Sequence, residues 1–235
     1  MDLSFPPRPV LVTVEAFVDP AKEAEFNRWY DDEHMPQSIA CPGFVAGARY
    51  RSTDDKERKY LSLYIVESEA AMETPELAAI RGFGELTPFV RYERRIFRPA
   101  PGLLINGLRG EVHFPPRPAI GVVKASVEFA YDEEFNRWYA DRHMPQALGC
   151  PGFRAGARYA SSDTFAKTYL ALYVIDGNEA FESRELAAIR GFEHLTPHVT
   201  YERRLFGPLI SFVKGSTEVT RYPDRQPAEK HIADR

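Results

Sequence analysis

Two histidines stand in one repeated setting, WYDDEH ending at His34 and WYADRH ending at His143. An imidazole can take up and return a proton near neutral pH, the step that isomerisation, cyclisation and elimination share. His34 and His143 are therefore the candidate catalytic bases. A second reading stands beside this one: a histidine at a helix end, held there by the helix dipole and bonded to a free carbonyl.

Around them are residues that could form a binding site. Trp29, Tyr30, Trp138 and Tyr139 could wall an apolar aromatic pocket, or pack as core. Tyr60 and Tyr64, like Tyr169 and Tyr173, alternate along one run and share a face. Buried hydroxyls need partners, which a ligand or the backbone can supply. Arg49 and Arg158 could hold a carboxylate or enolate, with surface pairing to Asp or Glu as the plainer alternative. The YERR runs at Tyr92 and Tyr201 read as solvated strand faces or as salt bridges between the halves. Glu85 and Phe89 have the histidines His194 and His198 as counterparts, so either the second half has the richer acid–base set or these are drift at surface positions; His198 is kept as a binding candidate. Cys41 and Cys150 precede Pro-Gly turns and are expected to pack as free thiols. No metal-ligand motif and no phosphate-cradling glycine loop occurs, so neither metal nor cofactor is expected.

The elements that position these residues come twice. Phe5–Phe97 aligns on Phe114–Phe206 without a gap at an offset of 109, with 54 identities in 93 positions. Each copy reads strand, helix, strand, strand, helix, strand. Val10–Val18 is β-branched and apolar, hence a strand. Asp19-Pro20 opens a helix whose broad face carries Phe26, Trp29, Tyr30 and His34, and Pro36 is expected to end it near His34. Phe44–Arg51 and Lys59–Glu67 are the next strands. Glu69–Ile80 is a second helix interrupted near Pro75, and Phe89–Phe97 is the last strand. Tyr60–Val66 is apolar on both alternating faces, so both must be covered. The expected fold is α+β: two tandem ferredoxin-like βαββαβ units whose antiparallel sheets pack face to face as an intramolecular barrel. The units are 1–102 and 114–213, with 103–113 as linker (its PAPG-rich approach beginning at 98) and 214–235 as a polar tail.

The chain has 235 residues, 44% of them hydrophobic, and a net charge of −4. That supports a folded core and gives no global positive field for nucleic acid or an anionic membrane. No apolar run approaches ~20 residues. Two cysteines and a start without a basic, apolar leader point to a reduced, cytoplasmic protein.

FNRWYDDEHMP followed by PGFVAGARY resembles the dimeric α/β-barrel superfamily, and within it the EthD-like and other small bacterial barrel proteins. The resemblance covers Val10–Phe97 and Ala119–Phe206. It implies a barrel made within one chain, as a monomeric pseudo-dimer or a homodimer of it, and a small-molecule substrate. It also implies a histidine base aided by a tyrosine, as in related cyclases. The superfamily spans lactone isomerases, polyketide cyclases, cofactor-free monooxygenases, lyases and haem proteins. A cofactor-independent enzyme acting on a small aromatic, lactone or polyketide-like compound is the first expectation; a non-catalytic binding or stress-associated barrel and a haem protein are the alternatives.

Overall fold

The computed structural model describes residues 10–105, 115–161, 167–216 and 219–223. The first half contains β1 (Val10–Val18), α1 (Glu23–Trp29), α2 (Met35–Ala40), β2 (Phe44–Ser52), β3 (Tyr60–Val66), α3 (Pro75–Ile80) and β4 (Val90–Ile105). The second half contains β5 (Ala119–Val127), α4 (Asp132–Trp138), α5 (Met144–Leu148), β6 (Phe153–Ser161), β7 (Lys167–Ile175), α6 (Arg184–Ala188) and β8 (Val199–Val213), followed by a two-residue strand, β9 (Thr220–Arg221). Short 3₁₀ turns flank the helices. No helix among the described residues is long and apolar enough to cross a membrane.

The strands run β2-β3-β1-β4-β6-β7-β5-β8, and β8 pairs back onto β2. The result is one closed, eight-stranded antiparallel barrel rather than two separate sheets stacked face to face. Closure comes from strand ends beyond the expected limits. β4 continues past Phe97 to Ile105 and pairs with β6, from Phe97 opposite Ser161 to Ile105 opposite Gly156. β8 continues past Phe206 to Val213 and pairs with β2. Residues 98–105, read as the approach to and start of the linker, are therefore strand; 106–114 lie outside the described residues. An extended edge strand leaves a row of unpaired amides and carbonyls, and pairing with the other half satisfies both. The tail is likewise partly ordered, since β9 adds to β8 and the Tyr222 hydroxyl meets Ser211 at 3.1 Å. Residues 217–218 and 224–235 of it lie outside the described residues, as does the first FPPRP.

The alternation of β3 sorts its side chains between two cores. Leu61, Leu63 and Ile65 enter the lumen, where they meet Leu11, Tyr50 and Phe97 of their own half and Ile120, Leu172 and Phe206 of the other. Tyr60, Tyr64 and Val66 face outward into a second core beneath α1 and α2. The second half has its own outer core beneath α4 and α5. Gly47 allows the close approach of α2: a Cβ there would lie 2.9 Å from Ile39 Cδ1.

One end of the lumen is closed by charge. Lys59 Nζ reaches Glu15 at 2.8 Å and Glu202 at 2.7 Å, while Lys124 pairs with Glu15 at 3.0 Å and with Glu93. All but Lys59–Glu15 are salt bridges between the halves, as the YERR runs allowed. Glu15 and Lys124 occupy equivalent positions, so the centre of the network joins counterparts of opposite sign.

The first helix does not end at His34. It passes through a π turn, Tyr30–His34, and continues as α2 to Ala40, with Met35 at φ −68°, ψ −45°. The Met35 amide donates to the Tyr30 carbonyl five residues back. Proline disfavours a helix because its ring meets the carbonyl four residues earlier, and the wider turn just ahead of Pro36 relieves that contact. The second half repeats the device at Tyr139–His143.

Candidate functional site

The π turn positions the histidine. On a regular helix, at roughly 100° per residue, side chains five apart point well away from each other. The extra residue in the turn brings them round. The His34 ring lies parallel to Trp29 at 4.6 Å between centroids and edge-on to Tyr30 at 5.0 Å. His143 stacks in the same way on Trp138, at 4.8 Å. Neither imidazole is clamped by a carboxylate among the described residues. Burial, then the nearby guanidinium of Arg49, pushes His34 down to about 4; burial and Arg158 do the same for His143. Both rings are neutral at physiological pH. Nδ1 of His143 is buried without a hydrogen-bond partner.

His34 opens into a cavity of about 400 Å³ between the helical layer and the outer face of the barrel. Tyr30, Tyr64, Phe44 and Phe83 contribute aromatic wall, Val12 and Met72 aliphatic wall, and Arg81, Tyr92 and Arg94 also line it. The hydroxyls of Tyr30 and Tyr64 meet at 3.0 Å, and burial raises both phenols above their usual range. They enter as neutral hydrogen-bonding groups.

The second half has the corresponding space, of only about 60 Å³. Every residue lining it stands 109 positions after one lining the first, His143, Tyr139 and Tyr173 included. Three of these positions differ: Val12, Ser38 and Met72 have Gly121, Ala147 and Phe181 as counterparts. The Phe181 ring lies over Gly121 so closely that a Cβ there would sit 2.2 Å from Cε2. The second chamber is filled by its own core.

The remaining candidates stand outside the cavity walls. Trp29 and Trp138 lie behind the histidines as stacking platforms. Tyr60 donates to Glu23 at 2.6 Å and accepts from Asn27, and Tyr169 does the same with Asp132 and Asn136; their hydroxyls are bonded to helix side chains, not to backbone across the barrel. Arg49 and Arg158 are not surface residues. Both are fully buried, because the outward face of their strands is roofed by α1 or α4. Arg49 pairs with Asp31, donates to Asn27 Oδ1 at 2.8 Å and lies 4.4 Å above the Tyr30 ring. Arg158 lies 4.1 Å above Tyr139 and donates to Asn136, but Ala140 replaces the aspartate and its Nε and Nη1 have no partner. His198 stacks on Tyr131 at 3.6 Å and meets Glu128 at 3.1 Å, away from both chambers, and His194 pairs with Glu134. Cys41 and Cys150 are buried free thiols, each bonded to the carbonyl four residues earlier, and burial raises both. The sequence reading missed Arg81, Tyr92, Arg94, Met72 and Phe181. Alternation along β4 is the one signal that pointed to some of them, since it sets Tyr92 and Arg94 on the helix-side face with Val90.

No family model and no curated protein matches this sequence. Among solved structures the chain is similar to an anthrone oxidase-like protein, with a TM-score of 0.66 at 14% identity over 93% of this chain and 98% of that one. It is also similar to a protein from Lactobacillus acidophilus assigned as a monooxygenase (TM-score 0.54, 13% identity, 90% and 99% covered). A chlorite dismutase from Candidatus Nitrospira defluvii gives 0.57 at 12% identity, with 85% and 92% covered. At these identities the likeness is one of fold alone.

Haem, an alternative that the sequence resemblance left open, does not fit these residues. An axial imidazole is ordinarily oriented by an acceptor on its second nitrogen. Neither His34 nor His143 has one among the described residues, and the space beside His143 is far smaller than a macrocycle.

Proposed function

We propose that the first-half cavity is the active site of a cofactor-independent enzyme, in which His34 takes a proton from a small aromatic or polyketide-like carbon acid. The observation that carries this reading is a neutral, carboxylate-free imidazole opening into an aromatic chamber of about 400 Å³. A volume of this order suits a ligand of two or three fused rings. An imidazole pushed down to about 4 is a weak base, so it suits a proton already acidified by a neighbouring carbonyl and aryl ring. Tyr30 and Tyr64 would hydrogen-bond the oxygen that becomes an enolate. The fate of that enolate sets the reaction: return of the proton elsewhere is isomerisation, loss of a leaving group is lyase chemistry, attack on an internal carbonyl is cyclisation, and capture of dioxygen is oxidation. The anthrone oxidase-like neighbour favours testing the last.

In the same reading the chain is a duplication of a ferredoxin-like, EthD-like unit, and one chain holds a complete barrel as a monomeric pseudo-dimer. A second reading keeps the pocket as a binding site without turnover, and the low basicity of His34 is the observation that favours it. Anthrone serves as the probe. Exchange of its benzylic hydrogens in deuterium oxide is followed by NMR without oxygen, and oxygen uptake in air. The His34→Gln variant should lose about 100-fold or more of the enzymatic rate, in the range of a general base, while His143→Gln should stay within about twofold of the parent. Equal rates for His34→Gln and the parent would remove the catalytic assignment and leave the binding barrel.

A further inference from the structure

The wall of the larger cavity has two formal charges, and both are positive. Arg81 follows α3 and Arg94 lies on β4, and they line one chamber. Arg81 is tethered through a donor to the Met72 carbonyl, which leaves the rest of its guanidinium free to bind. Among the described residues, neither has a carboxylate within ion-pair distance. Several arginines elsewhere on the surface are paired instead. Arg58 pairs with Glu23, Arg91 with Glu57, Arg98 with Glu69 and Arg154 with Asp176.

The second half shows what the same two positions do when the chamber is filled. Arg190 donates to the Phe181 carbonyl at 2.8 Å, and Arg203 lies 5.3 Å above the Phe181 ring. Burial, then the charge of Arg190, holds Arg203 below the usual guanidinium range. The two guanidinia are thus close enough to repel. There an aromatic ring occupies the space between them and the barrel; in the first half that space is open.

Two guanidinia lining one cavity, neither with a carboxylate partner among the described residues, suit a planar anion, which arginine binds through paired donors. The other walls, Val12, Val14, Phe44 and Phe83, are apolar. We infer that the first-half cavity takes an aromatic acid, its ring system buried against Phe44 and Phe83 and its carboxylate held by Arg81 and Arg94. The inference rests on reading this cavity as the substrate site, and it narrows the substrate class to carbon acids that also bear a carboxylate.

Calorimetric titration of the full chain with 2-naphthoate and with its neutral analogue 2-naphthamide tests it. The acid should bind at least about tenfold more tightly than the amide at low salt, the preference expected of charge-assisted hydrogen bonds. It should lose most of that margin in the Arg94→Gln variant, whose side chain is exposed. Met72→Phe, which imports the ring that fills the second chamber, should abolish binding of both probes and so locate them. Equal affinities for acid and amide, or a preference that survives Arg94→Gln, would overturn the inference while leaving the cavity as a binding site. Binding of neither probe to the parent would overturn it together with the cavity reading. A preserved acid preference beside unchanged turnover in His34→Gln would instead remove only the proposed catalysis.

Discussion

Met72 and Phe181 occupy one position in two copies of the same wall, and so do Val12 and Gly121. Around them the two halves agree closely: the π turn, the stacked indole and imidazole, the paired tyrosine hydroxyls and the buried arginine all recur. Yet one half encloses about 400 Å³ and the other about 60 Å³. In the second half the phenylalanine ring lies in the space that the glycine leaves, so the two changes fit each other in shape. The comparison separates what builds the fold from what builds a site. The shared residues hold the helix on the barrel, and the chamber depends on side chains whose bulk the backbone does not reveal.

The most demanding test reverses the exchange. Gly121→Val with Phe181→Met should open the second chamber and raise the stoichiometry of 2-naphthoate from one to two per chain, read by calorimetry. A ratio that stays at one would show that the wall residues do not account for the difference.

The halves also differ where they meet. Lys124→Glu would set a carboxylate against Glu15 and Glu93 in a partly buried cluster and leave Glu15 only Lys59, and Glu93 only Arg95, as a cation. Loss of a partner from such a cluster costs about 3–5 kcal/mol, and denaturant unfolding should show a destabilisation of that order. The double variant Glu15→Lys with Lys124→Glu restores that one pair but sets like charges against Lys59 and Glu93, so it should recover little of the loss.

Where the halves agree, they should titrate together. His34 and His143 have an ordinary value of 6.5 and both are held at about 4 in the fold. Between those values the unfolded chain binds more protons, so stability is complete above pH 6.5 and falls as pH drops toward 4. Each histidine should account for about 2–3 kcal/mol of that loss. Urea melts across this window should show His34→Gln and His143→Gln flattening the slope equally. Unequal flattening would reveal a difference in burial that the two stacked rings conceal.

The smallest effect concerns Arg158. Ala140→Asp would give it the partner that Asp31 gives Arg49 and should stabilise the second half by about 1–2 kcal/mol, seen as a higher denaturation midpoint. No gain would mean that the three aromatic rings around Arg158 already offset its lost hydration.

Most of the architecture was legible because it depends on local patterns. Val10–Val18 was found to the residue, since a β-branched run ending at Asp-Pro leaves few alternatives. The doubly apolar Tyr60–Val66 required cover on both faces, and the structure divides it between lumen and helices. The helix limit was misjudged because Pro36 was weighed against a regular helix, whereas the chain takes a π turn that accommodates it. Surface pairing stood as the plainer alternative for Arg49 and Arg158 because alternation says which face a side chain takes and not what roofs that face; both are buried.

The repeat, the strand–helix order and the aromatic helix face with its histidine were thus set by the sequence alone, through periodicity and turn chemistry acting over a few residues. The closure of one barrel through the ends of β4 and β8, the lining of one cavity by Arg81 and Arg94, and the filling of one chamber by Phe181 were decided only in three dimensions. Each depends on residues distant in the chain competing for the same edge or the same volume, and no local pattern records which of them occupies it.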